Sequence, residues 1–577
     1  MARQLFLSFN HTRARGRRFK FDKYISYHVP WIESPLDDSD SPPRLYRQSD
    51  ATPIELFFDL FFVANLSTFT ASNDINALEA LWSYVGFLGI IWFTWLQVTL
   101  FDIRFARDSI FERTCKAVQL ATMVGFASAG SGFATQVRPD NVWIFHSLSI
   151  LLAISRLMLS LEYFIASLYL FPSLRAAAVD LFSVSLFLFA TGLGYIGLYF
   201  LFNYHTATIG PYIWTIWWLM FAGETILVMA RANQTPGIGF EDTHLNVRMG
   251  LLTLIIIGDG IISVTRIVNR TVGNGWTRWS FVHILGVTTS VYLLWQSYFD
   301  ITPGEKLGKI RQQIWTCLHF PFHAILILLS EGAQILALTL DVSLKLKRLR
   351  DTILSACGIP GPIASDAIDS LNNTIVNMEI DFNRGALREK HAIESLLWAL
   401  RRHPRLCASR TGDGALNLER AHDIMGNVTV ALFSSMGIAP PEGHTTATRG
   451  EHLLTMYLKL LGFVFLYYFI VASLAMFMFA AFVFLVNHSS AKTVYRIGAT
   501  ATRVVLGLSL LSIIALVTNF DLAYKFMTNP MILFTVTLAL LIGLLSDQLW
   551  HRLSLHPIDS EVLTSEDIGA TTTPSAN

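Results

Sequence analysis

The sequence predicts an all-α, polytopic bundle of about twelve transmembrane helices, with a polar, partly helical insert between the ninth and tenth. Three observations carry this reading. Apolar residues make up 53% of the 577-residue chain, and Asp, Glu, Lys and Arg together only 15%, where soluble domains run at about 25% charged. The apolar residues are gathered into repeated runs of about 18 or more, each long enough to cross about 30 Å of hydrocarbon. The connections between runs are short and polar, except for one long stretch at 341–452.

In chain order, residues 1–50 read as a polar tail rich in Ser, Pro and Arg, disordered and cytosolic. Its basic start leads into polar sequence and not into an apolar core, so no cleavable signal peptide is predicted. Spans are expected at 54–72, 79–101, 115–137, 142–169, 177–202, 208–230, 249–268, 280–300 and 316–340, which form a membrane domain over 51–340. The insert occupies 341–452. Three further spans, at 455–486, 500–519 and 529–548, form a C-terminal helical region over 453–548, and 549–577 is a disordered tail.

The positive-inside rule places the N-terminus in the cytosol. Arg104, Arg107, Arg113, Lys116, Arg175, Arg231 and Lys306-Lys309-Arg311 then fall inside, whereas the loops 71–77 and 203–209 lack Lys and Arg. Under that topology the insert faces the other side, with sequons at Asn372 and Asn427. Cys357 and Cys407 lie within it and would pair in an oxidising compartment. The plasma membrane is the expected location, with the endoplasmic reticulum or another endomembrane as the alternative.

Several function classes are excluded or unsupported. A net charge of +1 gives no electrostatic case for nucleic acid. There is no CxxC pair, no zinc spacing, no GxSxG elbow, no Walker loop and no GxGxxG following a strand. No catalytic residue, metal or cofactor is predicted, and the lipid bilayer is the one partner the composition demands.

What remains is a set of ionisable residues inside apolar runs, where an unpaired charge costs at least about 2.5 kcal/mol. Thr52-Pro53-Ile54-Glu55 is a capping box, with Thr at N-cap and Glu at N3. It accounts for Glu55 but not for Asp59, one turn deeper on the same face. That carboxylate needs an Arg or His on another helix, or a task. A second stretch, His244-Leu245-Asn246-Val247-Arg248-Met249-Gly250, leads to Gly258-Asp259-Gly260. His244, Arg248 and Asp259 share one helical face, and Asp259 lies about 16 Å along the axis from Arg248. His319 and His323 sit at i,i+4 in the ninth run and read as hydrogen-bonded core residues rather than metal ligands, with Glu331 broadly on their face.

These two stretches resemble the low-temperature-requirement A (LtrA) family of polytopic membrane proteins. Glu55-Leu56-Phe57-Phe58-Asp59-Leu60 matches that family's first span. His244, Leu245, Arg248 and Gly250 match its His-Leu-x-Glu-Arg-x-Gly stretch, and Asp259 stands where the family has Glu. Val247 departs from the family Glu, which puts that position in doubt as part of a shared site. Trp295 with Phe299-Asp300, and His319-Phe320-Pro321, are further echoes. The resemblance covers about 50–340 and implies a fungal-type member with an extra loop insert. The family name concerns growth in the cold and defines no biochemical activity.

Three functions are therefore open. The first is a transporter or channel whose ion or small-solute route is lined by Asp59, Arg248, Asp259 and His319, with Glu55, His244 and Glu331 as further binding residues. The second is a non-catalytic scaffold or sensor linked to cold adaptation. The third is a lipid-modifying membrane enzyme, which the lack of a nucleophile with a base at readable spacing disfavours.

Overall fold

Thr52 starts the first helix as its sequence dictates. In the computed structural model the Glu55 amide donates to the Thr52 hydroxyl at 3.3 Å, and the Thr52 amide donates to the Glu55 carboxylate at 2.7 Å. This reciprocal box, with Pro53 at the first helical position, satisfies donors that a helix start leaves open. The structure describes residues 29–569 except 38–43, 49, 74, 204–209, 211, 236, 242, 273–277, 304–306, 358–364, 384, 404–405, 407–418, 437–449, 488–492, 519–524 and 527–528.

The helices are α1 (Pro53–Ser72), α2 (Leu78–Phe105), α3 (Ile110–Gly130), α4 (Val142–Leu170), α5 (Arg175–Leu201), α6 (Ile216–Gln234), α7 (Leu245–Val272) and α8 (Arg278–Ile301). They continue with α9 (Lys309–Cys357), α10 (Ser365–Val376), α11 (Leu387–Arg402), α12 (Glu419–Met436), α13 (Gly450–Val486), α14 (Thr493–Ser512) and α15 (Leu533–Gly569). A two-residue antiparallel ladder, β1 (Leu36–Asp37) with β2 (Arg44–Leu45), is the extended structure among the described residues.

The chain is a polytopic helical membrane protein. Among the described residues ten helices are long and apolar enough to cross a bilayer, against the twelve spans expected. The two expected runs outside that count fall on α3 and α8. Helix α3 carries Glu112, Arg113 and Lys116 in its first two turns. It also begins and ends earlier than the run at 115–137 suggests. Ser109 caps its start by accepting from the Glu112 amide at 3.2 Å, and Gly130 ends it.

Helix α2 is apolar on nearly every face and is the most enclosed of the first eight, the position such a pattern requires. Neighbours reach it closely because it carries glycine: a Cβ at Gly89 would lie 2.6 Å from the Trp218 ring. Helix α4 is two-faced. Ile150, Ile154, Leu161, Phe164 and Leu168, spaced three, four or seven apart, are exposed as a lipid-facing stripe. Arg156, Leu159, Glu162 and Tyr163 face inward.

Helix α9 runs 49 residues, about 74 Å at 1.5 Å per residue. It crosses residue 341 without a break and extends well past a hydrocarbon core of about 30 Å. Helices α10 to α12 pack with its far end and with α13 through Ile368, Leu371, Ile393, Leu400, Val428 and Leu432. Pro321 lies inside α9 and removes the amide that would bond the Cys317 carbonyl.

The described residues among 29–50, which the sequence reading places in the tail, are held against one end of the bundle. Arg107 pairs with Glu33 at 2.8 Å and donates to the Ser34 and Leu36 carbonyls at 3.1 Å. Arg47 donates to the carbonyls of Gly237 and Gly239 at 2.6 and 3.0 Å. The rest of that tail, 1–28, lies outside the described residues.

Two charges counted for topology are not loop charges. Arg104 and Lys116 are buried, Arg104 donating to the Tyr163 hydroxyl and Lys116 to Asp102. Cys115 and Cys317 are free, and Cys357 is disulfide-bonded. Cys407 lies outside the described residues.

Candidate functional site

Helix α1 turns Glu55, Phe58, Asp59, Phe62, Leu66 and Phe69 inward at spacings of three and four, while Leu56, Phe57 and Leu60 face out. Asp59 is therefore carried into the bundle by the same periodicity that buries the phenylalanines. Across from it, α7 opens with His244 just before its first turn and Arg248 one turn later, matching the rise from Glu55 to Asp59.

The two i,i+4 pairs meet. Arg248 Nη1 donates to Asp59 Oδ2 at 2.8 Å and Nη2 donates to Oδ1 at 2.9 Å, a bidentate fork with both side chains at 0% exposure. Trp95 Nε1 of α2 donates to Asp59 Oδ1 at 2.7 Å, and Arg248 also reaches the Thr99 hydroxyl at 3.5 Å. One turn toward the helix starts, His244 Nε2 faces the Glu55 carboxylate oxygens at 3.2 and 3.3 Å, and its Nδ1 faces the Gln48 carbonyl at 3.0 Å.

Both His244 nitrogens thus face acceptors, which only the imidazolium can satisfy with two N–H groups. Burial works against that charge, but the hydrogen bond and charge of Glu55 outweigh it and raise the His244 pKa above its ordinary value. Each charge in this site has its counter-charge. Asp59 answers Arg248, and Glu55 answers His244.

His319 and His323 lie alongside, on α9, with ring centroids 5.3 Å apart. Trp92 Nε1 can only donate, so His323 Nδ1 accepts its bond at 3.0 Å. The Thr253 hydroxyl spends its proton on the Met249 carbonyl at 2.8 Å, so it accepts from His323 Nε2 at 2.8 Å. His319 Nδ1 donates to the Trp315 carbonyl at 2.6 Å, and its Nε2 bonds the Tyr298 hydroxyl at 2.9 Å. The accepting Nδ1 makes His323 a neutral imidazole, and both rings have both nitrogens engaged and are fully buried. Among the described residues no group of three or more His, Cys, Asp or Glu is placed to hold a metal ion.

The structure separates the remaining candidates from this centre. Asp259 and Glu331 are buried further along α7 and α9, each engaged with other groups. The two helices touch there: a Cβ on Gly260 would stand 3.0 Å from the Ser330 hydroxyl. Of the seven candidate residues, Glu55, Asp59, His244 and Arg248 form one cluster. His319 stands in the neighbouring histidine pair, and Asp259 and Glu331 lie about three helical turns away.

Trp92 and Trp95 make buried hydrogen bonds that their sequence did not announce, since an apolar span with tryptophans also reads as interfacial belt or packing. The available signal was α2 itself. A helix apolar all round belongs in the middle of a bundle, and a central Trp needs an acceptor for its N–H.

Two cavities lie away from this cluster. One of about 450 Å³ is lined by Leu78, Trp82, Trp214 and Trp218, and one of about 320 Å³ by Tyr495, Asp547 and His551.

No curated protein and no solved structure matches the chain. Residues 50–357 match the family described as Bacterial low temperature requirement A protein (LtrA). The match is just over half of the 577 residues and ends where α9 ends. It contains every residue of the Asp59–Arg248 cluster, and with the helical membrane architecture it shows that the chain belongs to the LtrA family.

Proposed function

We propose that this LtrA-family membrane protein is a transporter or channel for an ion or small solute, with the Asp59–Arg248 pair as a latch between α1 and α7. The observation that carries the proposal is convergence. Four ionisable residues from two helices almost two hundred positions apart meet at 0–5% side-chain exposure, beside a histidine pair on a helix interrupted by Pro321. A latch needs a strong, reversible bond between elements that move, and a bidentate ion pair supplies one. Asp59 works in this reading as the closing contact and not as a ligand-binding carboxylate.

The test is flux in proteoliposomes. Wild-type protein moves protons, alkali cations or small solutes, and Asp59→Asn abolishes the movement in protein that remains folded. A broad screen of folded wild-type protein with no flux ends this reading.

A specific observation favours a second reading, a non-catalytic scaffold in which the buried charges fix helix register. Both Asp59 oxygens already have donors, so nothing at this carboxylate calls for a ligand. The exchanged pair Asp59→Arg with Arg248→Asp separates the two. Under the scaffold reading it restores stability and leaves no functional defect. Under the latch reading, restored stability is not accompanied by normal flux, because each moving helix now presents the opposite charge.

A further inference from the structure

A second ionisable cluster lies at the same end of the bundle, between α2, α3 and α4, and its charges do not balance. Asp102 of α2 and Lys116 of α3 are hydrogen-bonded and buried. Glu162 of α4 is 1% exposed and lies within electrostatic reach of both, beside the free thiol of Cys115. Glu112 of α3 faces Glu162 from the cluster's rim, where it is half-buried. Three carboxylates therefore share one ammonium.

Glu162 is the feature that points to a ligand. Among the described residues the weak S–H donor of Cys115 is the one group that bonds Glu162, no N–H or O–H group reaches either oxygen, and one oxygen each of Asp102 and Glu112 is buried without a donor. Other charges do not make up the deficit. Arg104 of α2 is committed to the Leu100 carbonyl and the Tyr163 hydroxyl. On α5, Ser185 bonds Ser160, and Asp180 pairs with Arg231 and Thr235. On the α1 and α7 side, Arg248 is held by Asp59, and Glu55 adds negative charge toward Asp102. Buried ions persist only when paired or neutralised.

We propose that the Glu112–Glu162 pair, held beside Lys116, is a buried proton-binding site in which Glu162 carries the proton at neutral pH. The half-exposed Glu112, in the first turn of α3, connects it to solvent. A neutral Glu162 leaves Asp102 and Lys116 as a simple ion pair. The free Cys115 thiol then accompanies a carboxylic acid and not a second anion. This inference concerns equilibrium protonation and stands whether or not the protein moves solute.

The experiment is infrared difference spectroscopy on the full-length protein in nanodiscs, stepped from neutral to alkaline pH. Wild type shows a protonated-carboxyl C=O band that is lost on the step. Glu162→Gln, a neutral isostere of the protonated acid, folds normally and lacks the band. Glu112→Gln keeps the band but shifts the pH at which it disappears. A band undiminished in Glu162→Gln overturns the assignment, as does a Glu162→Gln protein that fails to fold. So does the absence of a band together with a rise in melting temperature in sodium chloride over choline chloride that Glu162→Gln removes, which would make the site's ion sodium.

Discussion

The two ionisable clusters at one end of this bundle are built on opposite terms. In the first, Glu55, Asp59, His244 and Arg248 close one to one, and each Asp59 oxygen is met by a donor. In the second, Asp102, Glu112 and Glu162 face a single Lys116, and buried carboxylate oxygens are left over. The first holds the residues that carry the family resemblance, and the second holds none of them. A buried charge within a family motif can thus be fully paired, while the carboxylate oxygens left without donors lie a helix away.

The comparison can be broken from either side, and the largest effect belongs to the closed cluster. Asp59→Asn leaves the Arg248 guanidinium buried without its counter-charge, a loss of about 3–5 kcal/mol of stability. Equilibrium unfolding in nanodiscs measures it, and a loss below about 1 kcal/mol would show that the fork is not structural.

Trp95→Phe removes one charge-assisted bond and the pyrrole half of a buried indole, so a loss of at least about 1.5–3 kcal/mol is expected on the same assay. Adding it to Asp59→Asn should cost far less than the sum, because the two share one carboxylate.

Glu55→Gln is smaller, about 1 kcal/mol, and depends on pH. Because Glu55 raises the His244 pKa in the fold, the stabilisation is fully present below the unfolded value of about 6.5 and is lost as pH rises through the folded value. Stability against pH should slope downward above about 6.5 in wild type, and Glu55→Gln should flatten that slope. An unchanged slope removes His244 from the account.

The smallest effect belongs to the open cluster. Glu162→Gln exchanges a protonated acid for its isostere and should stay within about 0.5 kcal/mol of wild type at neutral pH.

Much of this fold was legible because hydrocarbon enforces long apolar helices, and the capping box at Thr52 fixed the start of α1 to within a residue of the expected run. Asp59 announced its need for a partner because a carboxylate in such a run is costly, and the i,i+4 spacing of His244 and Arg248 mirrored that of Glu55 and Asp59. The pairing itself was not legible, since helices joined by nearly two hundred residues show their contacts only when packed. The partner of Lys116 was hidden for a related reason. A lysine beside a short loop looks like a topology signal, and the carboxylate that holds it, Asp102, belongs to the preceding helix. From sequence, Glu162 reads with Arg156, Asp180 and Glu224 as charges that neutralise one another or line a wet cavity, because one acid in α4 gives no sign of how many cations share its surroundings.

The most direct test of the central contrast is to unfold Asp59→Asn and Glu162→Gln side by side, as full-length protein in nanodiscs at neutral pH. The account predicts a stability loss of about 3–5 kcal/mol for Asp59→Asn and none beyond about 0.5 kcal/mol for Glu162→Gln. Equal losses in the two variants would contradict it, because Glu162 would then be an ionised partner of Lys116 and both clusters would be closed.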